Sequence, residues 1–463
     1  MIVEQENHFN KNEFIRFGLE VYQFWFVAVL LVGFFQTLPI PVVILYAAAS
    51  FIYCFNKPIT LFAVFYVLTT TSELFDGNIF FINFNLKLVD GSFTILANYC
   101  GYCLILLAFI KNKFRKFSFY KIDACFIIFL IMMILTGLLS ETPSNMYEHM
   151  YRMLQFVIIY ILLRILLSDS RSIKLFFYTH FLIAIVVIIV LSFQFVFSRM
   201  GRPHLIIEVL PYLLSFSLVY KDRISLKWFL ILFLATYLSF HSDSRRILIG
   251  AVLLYVLFIN YRTLNINYIK KTLIAIPLFI ILIYTIPDSL MERTSYGFSG
   301  LIELAEGVEV KDLHSEVFTK RDELWTIGYL MWQDNFLTGV GTKNVQGLMN
   351  SYSDFETDYS KIRMHNLYLR ILAEQGIIGF SIFIVILMIL FIYLNESNKV
   401  FIKNKNRLFE TLNRAITFKL ISQLVMYFFG GWSIYDKFFW IDSALIVLLY
   451  EQARLSSRKL IKV

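Results

Sequence analysis

Long apolar runs separated by short polar breaks dominate this chain, and that alternation sets what it can fold into. The runs fall at 21–35, 40–55, 58–71, 92–110, 122–140, 152–167, 175–197, 205–220, 228–240, 247–260, 272–286, 366–394, 412–430 and 438–450. A helix needs about 20 apolar residues to cross the hydrocarbon core, fewer when neighbours or flanking aromatics help. Inside lipid every backbone polar group must be paired within the protein, which leaves helices as the natural reading of such runs. The expected fold is therefore an all-α polytopic membrane protein with about 12–14 transmembrane helices. Composition agrees: 58% of residues are hydrophobic and only 16% are charged, against about a quarter charged in soluble domains. The net charge of +9 is then first a topology signal and not a nucleic-acid footprint.

The opening residues MIVEQENHFNKNEFIRFGLE are polar, and the apolar run from Val21 lacks a small-residue cleavage site, so no cleaved leader is expected. Cys54, Cys100, Cys103 and Cys125 all fall in or beside apolar runs. Cys100-Gly-Tyr-Cys103 has metal-ligand spacing but no second Cys or His pair nearby, so a buried helix face is the expected setting.

The basic residues orient the helices. With both termini in the cytoplasm, the segments 111–121 (KNKFRKFSFYK), 168–174, 221–227, 261–271, 395–407 and 451–463 lie inside and hold most of the Lys and Arg. The short outer loops hold only Lys87, Arg199, Arg202, Arg245, Arg246 and Lys437, which is the positive-inside asymmetry. Two features break it. One is the long polar segment 287–365, placed outside. The other is the arginine content of two outer loops, SRMGRPH (198–204) and HSDSRR (241–246). Arginine there opposes the orientation; either it is a snorkelling anchor at a helix end or it has a task.

Within the outer segment, FTKRDELWTIGYLMWQDNFLTGVGTKN (318–344) has a pattern of its own. Thr319 followed by Asp322 reads as a capping box that opens a helix. Leu324, Ile327, Leu330 and Met331, with Trp325 and Trp332, recur at helical spacing, and Gly339 and Gly341 end the run in a turn. Such a helix would lie at the membrane surface or lid a cavity. Arg321 in its first turn, beside free backbone N–H groups, suits a phosphate; an ion pair with Glu323 or Asp322 is the alternative. His365 follows at the outer mouth of the next apolar run. It is either a base near neutral pH or an interface histidine without a specific role. Arg370 and Glu374, four residues apart, explain each other as an intrahelical pair.

The outer face thus offers Arg199, Arg202, Arg245, Arg246, Arg321 and one well-placed imidazole, with no Asp-x-Asp and no metal-ligand set. Arginine forks neutralise a pyrophosphate leaving group without a divalent ion, and a sugar hydroxyl can use a base. Glycan transfer from a lipid pyrophosphate fits both.

These residues resemble the O-antigen ligase and polymerase family of bacterial envelope enzymes. The likeness rests on Ser244-Arg245; on Arg321 with Trp325 leading to Gly339-Val-Gly341; and on His365-Asn366-Leu-Tyr368 followed by Glu374-x-Gly376-Ile-Ile-Gly379. A looser echo runs from Arg199 through Gly201 to Pro203. It covers about 198–395, and divides the chain into N-terminal transmembrane helices (1–197) and a ligase/polymerase-like region (198–463) with the extracytoplasmic loop 287–365. The resemblance implies a GT-C-like fold and metal-independent transfer from undecaprenyl pyrophosphate at the outer face of the cytoplasmic membrane. Arg245 and Arg321 would hold the pyrophosphate and His365 would activate the acceptor hydroxyl. Arg246, Arg199, Arg202, Trp325, Asn366 and Glu374 would complete the substrate site, with no cofactor. A flippase and a chain-length regulator of the same pathway are the implied partners, and nucleic acid is not. The expected activity is repeat-unit polymerisation of an O-antigen, capsule or exopolysaccharide. Transfer of finished polymer to a lipid A-core acceptor is the alternative, and flipping or transport of a lipid-linked oligosaccharide the second. No two related halves with interrupted helices are visible, as a transporter often shows.

Overall fold

The computed structural model describes residues 11–34, 38–74, 86–111, 117–140, 142–167, 169–197, 321–353, 364–428 and 436–461, with the helical residues 208, 210–214, 234, 250–251 and 253–254 between them. Every regular element among them is helical. In chain order these are α1 (Lys11–Phe34), α2 (Ile40–Cys54), α3 (Pro58–Leu74), α4 (Leu86–Ile110), α5 (Lys121–Leu138), α6 (Ser144–Leu166), α7 (Ser170–Phe197), α8 (Arg321–Asp334), the single turn α9 (Val345–Leu348), α10 (Leu367–Lys403), α11 (Arg407–Met426) and α12 (Lys437–Ile461). Prolines sit where a missing N–H does no harm: Pro41 lies at the start of α2 and Pro58 opens α3. The Asp123 carboxylate accepts from Tyr120 N at 2.6 Å and closes the start of α5.

The helices form two packed groups. One joins α1, α2, α3, α4 and α7; the other joins α5, α6, α10, α11 and α12. At their seam Tyr66 of α3, whose Oη lies 3.2 Å from His180 Nε2 of α7 in its own group, packs against Phe438 of α12. Outward faces stay apolar: Ile44, Leu45 and Ile52 of α2, Ile127, Ile128 and Ile131 of α5, and Val385, Met388 and Ile392 of α10 are exposed. A bundle apolar both inside and out has lipid as its solvent.

Among the described residues, four helical stretches, Asn12–Val32, Lys121–Leu138, Ser170–Ile188 and Leu367–Lys403, are long and apolar enough to cross a membrane. Four more, Ile40–Cys54, Pro58–Thr70, Leu96–Ile110 and Met153–Leu166, are apolar but shorter. Two further expected runs, 412–430 and 438–450, become α11 and α12, whose central Lys419 and Asp442 dilute their apolar character. The runs expected at 228–240, 247–260 and 272–286 fall largely or wholly outside the described residues, as does most of 205–220. The free cysteines are all in helices, Cys54 and Cys100 fully buried.

Contacts sort the helix ends onto two levels. One level joins Lys57 to Glu20 at 2.6 Å, Lys111 to Asn56, Arg171 to Glu13, and Tyr120 to Tyr393 and Tyr450. The hydrogen bond that Lys57 donates to the Glu20 carboxylate holds the lysine pKa above its ordinary value. The other level joins Lys437 to the Thr69 carbonyl, Thr342 to the Met133 carbonyl, and Leu367 N to the Tyr427 carbonyl. The first group contains the ends expected inside, the second those expected outside.

The feature that shapes the second level is a break in α10. Its 37 residues would make a rod of about 55 Å at 1.5 Å per residue, far beyond the hydrocarbon thickness. Gly376, at φ 63° and ψ −168°, interrupts it. Of the nine residues before the break, Leu369 and Ala373 pack with the outer-loop assembly, while Leu367 and Ile371 join the bundle core.

Candidate functional site

The outer assembly begins with α8. Leu324, Ile327 and Met331 are buried along one side, and with Val340, Val345, Met349, Met364 and Ala373 they form a small second core that Trp325 packs against. The period of 3.6 puts these residues on one stripe; Leu330, expected there as well, lies 37% exposed at its margin. Helix α8 is described from Arg321 onward. Thr319, the expected cap, lies outside the described residues.

This helix is laid against the start of α10 by a close approach. A Cβ at Gly328 would come within 2.3 Å of Met364 Cε, so only glycine lets Met364 seat there. His365 follows Met364 and is exposed, while Asn366 is buried and caps α10, its side chain accepting from Leu369 N at 3.1 Å. The imidazole is thus carried on a two-residue bridge with both ends pinned. By rise per residue, Gly328 lies about 10 Å along α8 from Arg321.

The loop after α8 is then clamped backbone to backbone onto the break in α10. Val340 N donates to Ala373 O at 2.8 Å and Gly341 N to Glu374 O at 3.1 Å; Ile377 N donates to Phe336 O at 2.9 Å. These bonds satisfy carbonyls and amides that the break frees. Two glycines make the approach possible. At Gly339 (φ 70°) a Cβ would meet Ala373 O at 2.5 Å, and at Gly376 a Cβ would meet Leu337 O at 2.2 Å. On its far side the loop is pinned to α5 and the turn that follows it, through Thr342 Oγ1 to Met133 O at 2.9 Å and Thr142 Oγ1 to Asn344 Oδ1 at 2.5 Å. Glu374 is buried and pairs with Arg370 Nε at 2.9 Å, which makes it a brace for the first part of α10.

The structure therefore brings Arg321's helix, Trp325, His365, Asn366 and Glu374 into one assembly. Of Arg321 only the backbone is described. Arg199, Arg202, Arg245 and Arg246 lie outside the described residues. The indole Nε1 atoms of Trp325 and Trp332 are buried with no hydrogen-bond partner among the described residues. Glu208 and Gly250, which follow the two arginine loops in sequence, both meet α11: Gln423 Nε2 donates to Glu208 Oε1 at 3.1 Å, and Ser422 Oγ donates to Gly250 O at 3.1 Å.

Two features escaped the sequence reading. The break at Gly376 was visible only as a glycine in a motif. The buried charge cluster Lys419–Asp442–Glu208 was signalled by Lys419 and Asp442 standing inside apolar runs, yet their partners are distant in sequence. Lys419 Nζ lies 2.7 Å from Asp442 Oδ2 and 2.8 Å from Glu208 Oε2, and Tyr212 Oη donates to Asp442 Oδ1 at 3.0 Å.

No curated protein matches the chain. A family model described as O-antigen ligase matches residues 228–384. The matched stretch runs through α8, the clamp and the broken start of α10, and ends before α11. Over residues 228–384, then, the chain is similar to the O-antigen ligase family.

Proposed function

We propose that this protein polymerises glycan repeat units, moving glycan from undecaprenyl pyrophosphate to an acceptor sugar hydroxyl at the outer face of the cytoplasmic membrane. The observation that carries the reading is that exposed His365 directly follows Met364, which packs against α8 at Gly328, in an assembly held by the glycine clamp at Gly339 and Gly376. In this reaction the acceptor oxygen attacks the anomeric carbon and the bond from that carbon to the pyrophosphate oxygen breaks. His365 takes the hydroxyl proton. The lipid pyrophosphate leaves with its charge met by Arg245, Arg321 and the N–H groups at the start of α8. Trp325 would join the substrate site, as the family resemblance implies. Arg199, Arg202 and Arg246 would extend the anion-binding surface. No step calls for a metal ion.

The orientation follows from the basic loops: the level holding Lys57, Lys111 and Arg171 faces the cytoplasm, both termini with it, and the α8 assembly faces outward. A flippase and a chain-length regulator acting on the same lipid-linked glycan are the fitting partners.

The buried Lys419–Asp442–Glu208 cluster favours one other reading, since charges inside membrane helices often mark a transport path. The test separates the readings. Cell-surface glycan and lipid-linked intermediates are analysed from a strain lacking the gene and from strains complemented with wild type, Arg321→Ala and His365→Ala. Collapse of the glycan ladder to one repeat unit supports polymerisation. Long polymer retained on undecaprenyl pyrophosphate makes the protein a ligase instead. Intermediates stranded on the cytoplasmic leaflet, or no change at all, overturn the enzyme reading.

A further inference from the structure

Helix α11 touches three chain segments that matter to the site, and one buried cation ties it down. At Lys419 it meets Asp442 of α12 and Glu208. Three residues on, Ser422 Oγ reaches the Gly250 carbonyl; one further, Gln423 Nε2 holds Glu208. These residues share a face at i, i+3 and i+4. The approach is tight, since a Cβ at Gly250 would come within 2.5 Å of Met426 Sδ. At the outer end of α11, Tyr427 O accepts from Leu367 N at 2.9 Å, Leu424 O accepts from Tyr368 Oη at 2.7 Å, and the Tyr368 and Phe428 rings lie 4.6 Å apart. The start of α10, two residues after His365, therefore rests on the top of α11.

We propose that Lys419 is a positioning residue: its ammonium, through Glu208 and Asp442, sets the α11 register that fixes the segment ending at Glu208 relative to the His365-bearing start of α10. This rests on the transfer reading above. Three features argue for it. Lys419 is 1% exposed and ion-paired on two sides. Replacing a buried ion pair by apolar side chains is often neutral or stabilising, so stability alone does not account for an ammonium here. Its partners come from segments far apart in sequence, and Glu208 lies six residues after Arg202. A relative shift of α11 would move Glu208 and the His365-bearing start of α10 against each other, and a small misplacement weakens transfer strongly.

The test uses the full chain purified in nanodiscs, with the undecaprenyl-pyrophosphate-linked repeat unit extracted from cells lacking the gene as donor. Wild type, Lys419→Met, Lys419→Arg and Glu208→Gln are compared per folded molecule. Glu208→Gln keeps an acceptor for Gln423 while removing the charge that Lys419 needs, and serves if Lys419→Met fails to fold. The expected result is a donor KM raised about tenfold with kcat lowered by at least about tenfold for Lys419→Met, a smaller shift of the same kind for Glu208→Gln, and recovery to within about threefold by Lys419→Arg. Amide hydrogen exchange gives a readout independent of catalysis. Lys419→Met should speed exchange at Leu367 by about tenfold while leaving α2 amides unchanged. Wild-type constants in both Lys419→Met and Glu208→Gln, or losses that only track the amount of folded protein, overturn the proposal. If wild type transfers nothing, the transfer reading fails; unchanged exchange at Leu367 then overturns the positioning role, and accelerated exchange supports it.

Discussion

Arg164 and Lys419 are both buried cations in membrane helices, yet they are built differently. Arg164, on α6, pairs with Asp123 and Tyr160, donates to the Ser118 carbonyl, and lies under the Phe117 and Tyr120 rings. All of these come from α5, α6 and the residues just before α5, so the cluster staples two consecutive helices at the level of the basic loops. Lys419 draws its partners from α12 and from Glu208, inside the bundle and below the end of α11 on which the start of α10 rests. One cation closes a local hairpin of helices; the other joins segments that only the folded bundle brings together. The lesson is that the same chemistry serves stability in the first place and geometry in the second.

Substitution separates the two. Arg164→Met strands the Asp123 carboxylate in the bundle, and removing one partner of a buried pair costs about 3–5 kcal/mol. It should lower the unfolding midpoint and the yield most of all the changes considered, while the molecules that fold keep wild-type turnover. A variant that folded well but lost turnover would erase the distinction. Gly376→Ala comes next: its Cβ would strike Leu337 O at a positive φ, so the clamp should open at a cost of about 1–3 kcal/mol. Limited proteolysis between Asn335 and Asn344 should then accelerate, with the α1–α4 group protected as before. Glu374→Gln is the mildest. Gln still accepts from Arg370, whose side chain is 18% exposed, and the expected loss is about 1 kcal/mol in thermal stability, with a several-fold drop in transfer.

Much of this was legible in the sequence for a physical reason. Apolar runs report directly on lipid, and the described ones fold as helices. The Leu324–Ile327–Met331 stripe follows from helical periodicity, and the Arg370–Glu374 brace from a spacing of four. Gly376 was harder. A continuous apolar run hides a break that depends on carbonyls and amides supplied by residues 336–341. Lys419 was harder still, because Glu208 lies more than two hundred positions away and no local pattern links them. Asn366, expected as a substrate contact, has a local task as the α10 cap. The roles of Arg199, Arg202, Arg245, Arg246 and the Arg321 side chain rest on the family resemblance.

The central claim is that exposed His365, next to the Met364 that packs on α8, performs proton transfer in glycan transfer. The direct measurement is single-turnover transfer in nanodiscs with lipid-linked donor, for wild type and His365→Ala, at matched amounts of folded protein and across pH. The account predicts a loss of about 10²–10⁴-fold for His365→Ala, with donor binding retained, and loss of the wild-type dependence on a group titrating near neutral pH. Transfer by His365→Ala at the wild-type rate and with the wild-type pH profile would contradict it.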